Sequence, residues 1–166
     1  MATFNITGFT NYDDWMTPSS VWTAIKQYIP PDKLIWESFY GNGESGTYLE
    51  SMGFNVIHQD IDFFYNNLGE IIISNPPFAL KKEVFKRLKE INKPFIMICP
   101  CSMITTQYFK KLFEDEGIQI IIPNKRIQFL KLVDGEIDTS KNQCNFDCFY
   151  YCYKMNLEKD IIFLKE

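Results

Sequence analysis

Apolar residues in this chain fall into short runs cut off by glycine, proline or acidic side chains, and between the runs lie stretches with apolar positions three or four apart. Short runs predict strands and the wider spacing predicts helices. Ser19 to Tyr28 reads as a short helix, capped by Thr17 or a neighbouring serine, with Pro18 near its first turn and Pro30-Pro31-Asp32 closing it. Lys33 to Phe39 reads as a strand, Thr47 to Met52 as a helix ended by Gly53, and Phe54 to His58 as a second strand. Glu70 to Ser74 is the next strand, and Leu80 to Asn92 an amphipathic helix with Val84, Leu88 and Ile91 on one face. Pro94 to Cys99 is again strand-like. Thr105 to Asp115 is a helix that turns Tyr108, Phe109 and Leu112 inward and stops at Gly117.

The tail changes character. Ile118 to Ile122, Ile127 to Leu132 and Phe146 to Tyr153 are β-rich, and Asp160 to Leu164 adds an edge strand. Alternation of strand and helix over the first two-thirds implies right-handed crossovers and a mainly parallel sheet. The ending implies an antiparallel hairpin at one edge, with the polar stretch Lys131 to Asn145 as its long loop. The expectation is one α/β sandwich over residues 1–166, with residues 1–18 as an N-terminal arm.

Composition narrows the class. A chain of 166 residues with 46% hydrophobic content and 15 phenylalanines is long and apolar enough for a full core. No run approaches the roughly 18 to 20 apolar residues that span a bilayer. Met1 to Asp14 lacks the basic-then-apolar order of a secretory signal, so an intracellular protein without a membrane partner is expected. Of the five cysteines, Cys144, Cys148 and Cys152 recur at every fourth residue, which on a strand puts them on one face as small buried hydrophobes. No CxxC-type knuckle is evident, and no metal is expected. The net charge is -4, yet residues 79–131 carry 11 basic and 5 acidic side chains, against 2 and 9 in residues 1–78 and 4 and 7 in residues 132–166. An acidic chain can therefore still offer one basic surface to phosphates.

Two turns carry candidate chemistry. Phe39-Tyr40-Gly41-Asn42-Gly43-Glu44-Ser45-Gly46 has G-x-G-x-x-G spacing between a strand and a helix, where glycines let the backbone approach a ligand closely. Asp60 and Asp62, at the end of the second strand, suit ribose hydroxyls. Glu37, just before the turn, would repel a pyrophosphate and welcome an ammonium, so a cofactor with an amino-acid end and an adenosine end fits better than a dinucleotide. The second turn is Ser74-Asn75-Pro76-Pro77-Phe78. Two prolines end the strand rigidly, and the turn offers one amide, carbonyls and an aromatic face, a set that suits a planar amine-bearing ring. By itself it also fits a plain strand-exit turn. His58, the sole histidine, reads as packed or as part of the ribose edge, since no nucleophile elbow accompanies it.

Taken together, these residues resemble the adenine-specific, S-adenosylmethionine-dependent methyltransferases, especially compact forms encoded by phages and large DNA viruses. The likeness rests on Trp15-x-Thr17-Pro18, on Glu37-Ser38-Phe39-Tyr40-Gly41-Asn42-Gly43, on acids after the second strand, and on Asn75-Pro76-Pro77-Phe78. Lys125-Arg126-Ile127-x-Phe129, a long loop and an aromatic strand complete it. Many relatives carry aspartate and proline where Glu37 and Ser38 stand. Only 28 residues separate Gly46 from Asn75, so a strand and helix of the full family fold are expected to be trimmed, with no separate target-recognition domain.

The resemblance implies a Rossmann-like class I methyltransferase sandwich that moves a methyl group from S-adenosylmethionine to the N6 amine of adenine, leaving S-adenosylhomocysteine. It implies Asn75, Pro76, Pro77 and Phe78 as the catalytic turn. Trp15, Thr17, Pro18, Glu37, Phe39, Tyr40, Gly41, Gly43, Gly46, Asp60 and Asp62 would then line the cofactor site. Lys81, Lys82, Lys86, Lys125, Arg126 and Lys131 are candidates to hold phosphates, and the 131–145 loop to read neighbouring bases. DNA is the preferred substrate. The alternatives are RNA adenine, a protein glutamine side chain, or a non-catalytic nucleic-acid-binding subunit; a homodimer or partner subunit is left open.

Overall fold

The computed structural model describes residues 15–133, 136–138 and 145–165. Its centre is a seven-stranded sheet, built from β2 (Leu34–Trp36), β3 (Asn55–Ile57), β4 (Ile71–Ser74), β5 (Phe95–Pro100), β6 (Gln119–Ile122), β9 (Cys148–Tyr153) and β10 (Ile161–Phe163). In space the order is β10-β6-β9-β5-β4-β2-β3. Only β9 runs antiparallel to its neighbours, facing β5 on one side and β6 on the other. All other pairings are parallel. A smaller sheet joins β1 (Trp15–Met16), β7 (Leu130–Val133) and β8 (Glu136–Asp138).

Period-2 alternation along the strands sorts side chains onto two covered faces. Ile35, Ile71, Ile73, Ile96, Ile98, Cys148, Tyr150 and Cys152 face α1 (Ser19–Thr23) and α2 (Glu44–Ser51) in one core. The alternate residues Trp36, Ile72, Phe95, Met97, Cys99, Tyr151 and Tyr153 face α3 (Lys81–Ile91) and α4 (Gln107–Phe113) in the other. The shared face expected of Cys148 and Cys152 is observed; Cys144 lies outside the described residues. The first core is mainly aliphatic, with Phe54, Phe129, Tyr150 and Trp22 among its aromatic members, and Trp22 Nε1 donates to Ser45 Oγ at 3.0 Å and ties α1 to α2. The second is aromatic. Phe85 of α3 is fully buried, its ring 5.6 to 6.2 Å from those of Phe95, Phe109, Phe113 and Tyr151, mostly edge to face.

The Rossmann-like α/β sandwich is thus as expected, with three differences. The antiparallel partner of β9 at that end of the sheet is β6, not the Ile127 to Leu132 stretch. That stretch gives β7, which leaves the large sheet to pair with β1 and β8, because its backbone finds partners in the N-terminal segment and in its own hairpin. The connection expected as a loop therefore contains a hairpin; residues 134–135 and 139–144 and the 1–14 part of the N-terminal arm lie outside the described residues. The predicted trimming is visible too: β3 is an outer strand, and only a 3-10 turn at Phe63–Tyr65 lies between it and β4. Among the described residues no helix is long and apolar enough to cross a membrane.

Burial of Phe85 within this ring cluster makes it a sensitive probe of the second core. Phe85→Ala should destabilise the protein by roughly 3–5 kcal/mol, read as a lower midpoint in urea unfolding with an unchanged slope.

Candidate active site

The chain leaves β2, forms β3 on its outer side, and crosses back to form β4 on its other side. A crevice opens at such a reversal, beyond the carboxyl ends of the two strands, and ligands of α/β sheets bind there. The turn after β2 is Glu37 to Gly43, and the turn after β4 is Asn75 to Leu80. The two stretches singled out by sequence therefore flank one switch point.

Glu37 joins them. It is 1% exposed, its Oε1 accepts from Phe39 N at 2.9 Å, and its Oε2 accepts from Ser74 Oγ at 2.9 Å. Its own N–H donates to Ile57 O at 3.0 Å, so this residue contacts all three strands at the reversal. Burial pushes its carboxyl up to about 8, against the smaller opposing pull of the Ser74 and Phe39 hydrogen bonds. Ser74 was not assigned a role from sequence. Its one signal was a small polar residue ending an isoleucine run.

The glycines divide their work. Gly41 and Gly43 have φ of +60° and +85°, which side-chain-bearing residues rarely adopt. Space around a Cβ at Gly41 is open, whereas one at Gly43 would lie 2.7 Å from the Tyr40 hydroxyl. A Cβ at Gly46 would run into the His58 ring, so this glycine lets α2 pack closely on the end of β3. His58 is a packed residue: its ring lies 6.1 Å from that of Tyr40, stacked at 19°, and Nε2 is 2.9 Å from Glu50 Oε1. Asn42 Oδ1 accepts from Glu44 N at 3.0 Å and satisfies one amide of the first turn of α2.

The ring of Phe39 points into the second core, 4.8 Å from Phe63. Asp60 is exposed just past β3. Asp62 is buried; its Oδ1 accepts from Phe64 N at 2.8 Å, while Oδ2 has no partner. An unpaired buried carboxylate oxygen is costly unless something fills its place.

Around Asn75 the arrangement is tighter than expected. Asn75 Nδ2 donates to Thr17 Oγ1 at 2.7 Å, and Asn75 Oδ1 is buried without a partner. Thr17, expected with the cofactor, thus stands against the Asn75 turn, because β1 pairs with β7 and delivers it there. Pro18 opens α1, its carbonyl accepting from Val21 N at 3.1 Å; the Trp15 side chain lies outside the described residues. Pro76 and Pro77 are buried, and Pro77 O accepts from Leu80 N at 3.0 Å. Phe78 lies edge to face with Phe129 at 5.9 Å and Phe146 at 5.7 Å. Phe146 carried no role in the sequence reading, although it and Phe129 are the apolar residues that flank the polar loop.

The basic residues are less uniform. Arg126 makes a two-pronged contact with Asp147 at 3.1 and 3.0 Å, which holds that carboxyl below its ordinary range. Its guanidinium is engaged within the protein, which weakens the phosphate-holding role expected of it. Lys81 Nζ donates to Phe78 O at 3.3 Å. Lys82, Lys86 and Lys125 are exposed, and the Lys131 side chain lies outside the described residues.

No protein-family model matches the chain, and comparison with curated proteins found no relative. Among solved structures, a candidate class I S-adenosylmethionine-dependent methyltransferase from Listeria monocytogenes is similar over 95% of this chain and 68% of its own, at 12% identity and a TM-score of 0.47. An S-adenosylmethionine-dependent O-methyltransferase from Thermotoga maritima is similar over 85% and 66%, at 12% identity and a TM-score of 0.40. Likeness of that size says nothing about which residues act here, or on what.

Glu37 supplies a pH test. Its folded carboxyl holds a proton up to about 8, whereas a glutamate in the unfolded chain releases it near 4.5. The folded state therefore binds more protons than the unfolded state between these values, and stability falls as pH rises through that window. Glu37→Gln should flatten the dependence of Tm on pH there and raise Tm above about pH 8, measured by thermal unfolding at a series of pH values.

Proposed function

We propose that this protein transfers a methyl group from S-adenosylmethionine to the exocyclic N6 amine of adenine in nucleic acid, with DNA the preferred polymer. The observation that carries the reading is the buried, unpartnered Oδ1 of Asn75, beside a glycine turn at the sheet's switch point. An acceptor left bare in a buried turn matches a ligand that brings a hydrogen-bond donor, and an adenine amine is such a donor.

The residues present fit the cofactor. Gly41 has open space around it, Asp62 Oδ2 is a bare acceptor near the same edge, and Asp60 stands exposed at the end of β3. Gly41 and Gly43 would give close backbone approach, and the acids would take ribose hydroxyls. An ammonium near Glu37 would favour its carboxylate form. S-adenosylmethionine, when bound, supplies an electrophilic methyl on a sulfonium.

Asn75 Oδ1 and the Pro76 carbonyl would accept the two amine hydrogens, since the Pro77 carbonyl already closes the turn to Leu80. That draws the nitrogen lone pair out of conjugation without a strong base. Phe78, held by Phe129 and Phe146, would set the plane of the ring. Positioning of this kind can provide much of a rate. An adenine in a duplex would first be flipped out, at a cost of a few kcal/mol, with Lys82, Lys86 and Lys125 as candidate phosphate contacts.

Asn75→Ala should abolish methyl transfer to adenine-containing duplex DNA while calorimetry still shows S-adenosylhomocysteine binding. Equal loss of both would remove Asn75 from the acceptor role. Transfer should also fall steeply with added salt, and a flat salt profile would favour a protein acceptor.

A further inference from the structure

Thr17 sits 58 positions from Asn75 in sequence, is 3% exposed, and has its hydroxyl oxygen 2.7 Å from the Asn75 amide nitrogen. The terminal torsion of an asparagine is broad and roughly two-fold, so packing alone sets weakly which end of the amide faces a given direction. Here that choice matters chemically. Turned one way, Asn75 offers an acceptor to an incoming amine; turned the other, it offers a second donor, which repels it.

We propose that Thr17 is a positioning residue for the acceptor amine, its hydroxyl anchoring the Asn75 side chain through the amide nitrogen, the pairing that leaves Oδ1 for the incoming amino group. This rests on the role given above to Asn75.

Thr17 is well placed for the task. The strand before it, β1, pairs with β7 through Met16 and Leu130. Pro18, φ -64°, then starts α1, which is tied to α2 through Trp22 and Ser45. The chain entering β7 passes through Phe129, whose ring stacks near that of Phe146 at 6.3 Å, and both rings pack against Phe78. One excursion of the chain, leaving the main sheet after β6 and rejoining it at β9, thus braces both halves of the acceptor turn: the Phe78 ring directly, and the Asn75 amide through β1 and Thr17. The shielded position keeps water from competing for the bond.

Two substitutions separate the hydroxyl from the packing. Thr17→Val keeps the shape and removes the oxygen; Thr17→Ser keeps the oxygen and removes the methyl. With S-adenosylmethionine and adenine-containing duplex DNA, Thr17→Val should lower kcat on the order of 10²-fold with KM for the cofactor near that of the unaltered protein and Tm lowered only by the loss of one buried hydrogen bond. Thr17→Ser should keep most of the rate. In ¹⁵N-labelled protein the Asn75 side-chain amide, identified by its loss in Asn75→Asp, should be slow to exchange in the unaltered protein and Thr17→Ser, and fast in Thr17→Val. An unaltered rate and unaltered amide exchange in Thr17→Val would overturn the proposal, as would Thr17→Ser proving the more damaging of the two. If the unaltered protein methylates no nucleic acid, the proposed function fails, and the amide exchange still decides whether Thr17 sets Asn75.

Discussion

A single buried carboxyl holds the two candidate turns in one place. Glu37 takes a hydrogen bond from the turn that follows β2 and another from Ser74 at the end of β4, while its backbone bonds to β3. A group so buried resists ionising, and the cost of placing it there is one of the few features of this sheet edge that packing alone would not select. An apolar residue at position 37 would leave both Phe39 N and Ser74 Oγ without this acceptor. What the carboxyl provides is registry: the glycine turn and the asparagine turn keep their spacing because one side chain bonds to both.

Around that link the site divides into a rigid half and an open half. Gly46, His58 and Glu50 lock α2 to the end of β3, and the Phe39 ring anchors the glycine turn in the aromatic core. The open half has the clear space over Gly41 and two bare carbonyl or carboxylate oxygens, Asn75 Oδ1 and Asp62 Oδ2; Ser38 Oγ and His58 Nδ1 nearby in sequence are buried and bare as well. Bare acceptors that are buried destabilise a fold. Asn75 and Asp62 each lie just past the carboxyl end of a strand that neighbours β2, the sheet edge where ligands of α/β folds bind.

Much of this was legible in the sequence because local signals and tertiary placement agreed. Short continuous apolar runs marked β4 and β5, and the double proline marked where β4 must stop. Cys148 and Cys152 announced their shared face by even spacing. The failures were of another kind. That β7 pairs with the N-terminal β1 is a long-range choice, and residues 130–133 carry no mark of it. Thr17 was expected with the cofactor, and motif context gave no sign of its hydrogen bond to Asn75, 58 positions away. Arg126 read as a free cation until Asp147, 21 positions away, was brought against it. Phe39 was singled out by its place in the glycine turn, and that its ring follows the strand's parity into the core was not read from the sequence.

The central claim is that the Asn75 turn receives an adenine amine. Its most direct test is mass spectrometry of nucleosides from DNA and RNA incubated with the protein and S-adenosylmethionine carrying a labelled methyl. The account predicts labelled N6-methyladenine in the DNA digest. The absence of any labelled nucleoside from both digests, with the protein folded and S-adenosylhomocysteine bound, would contradict it.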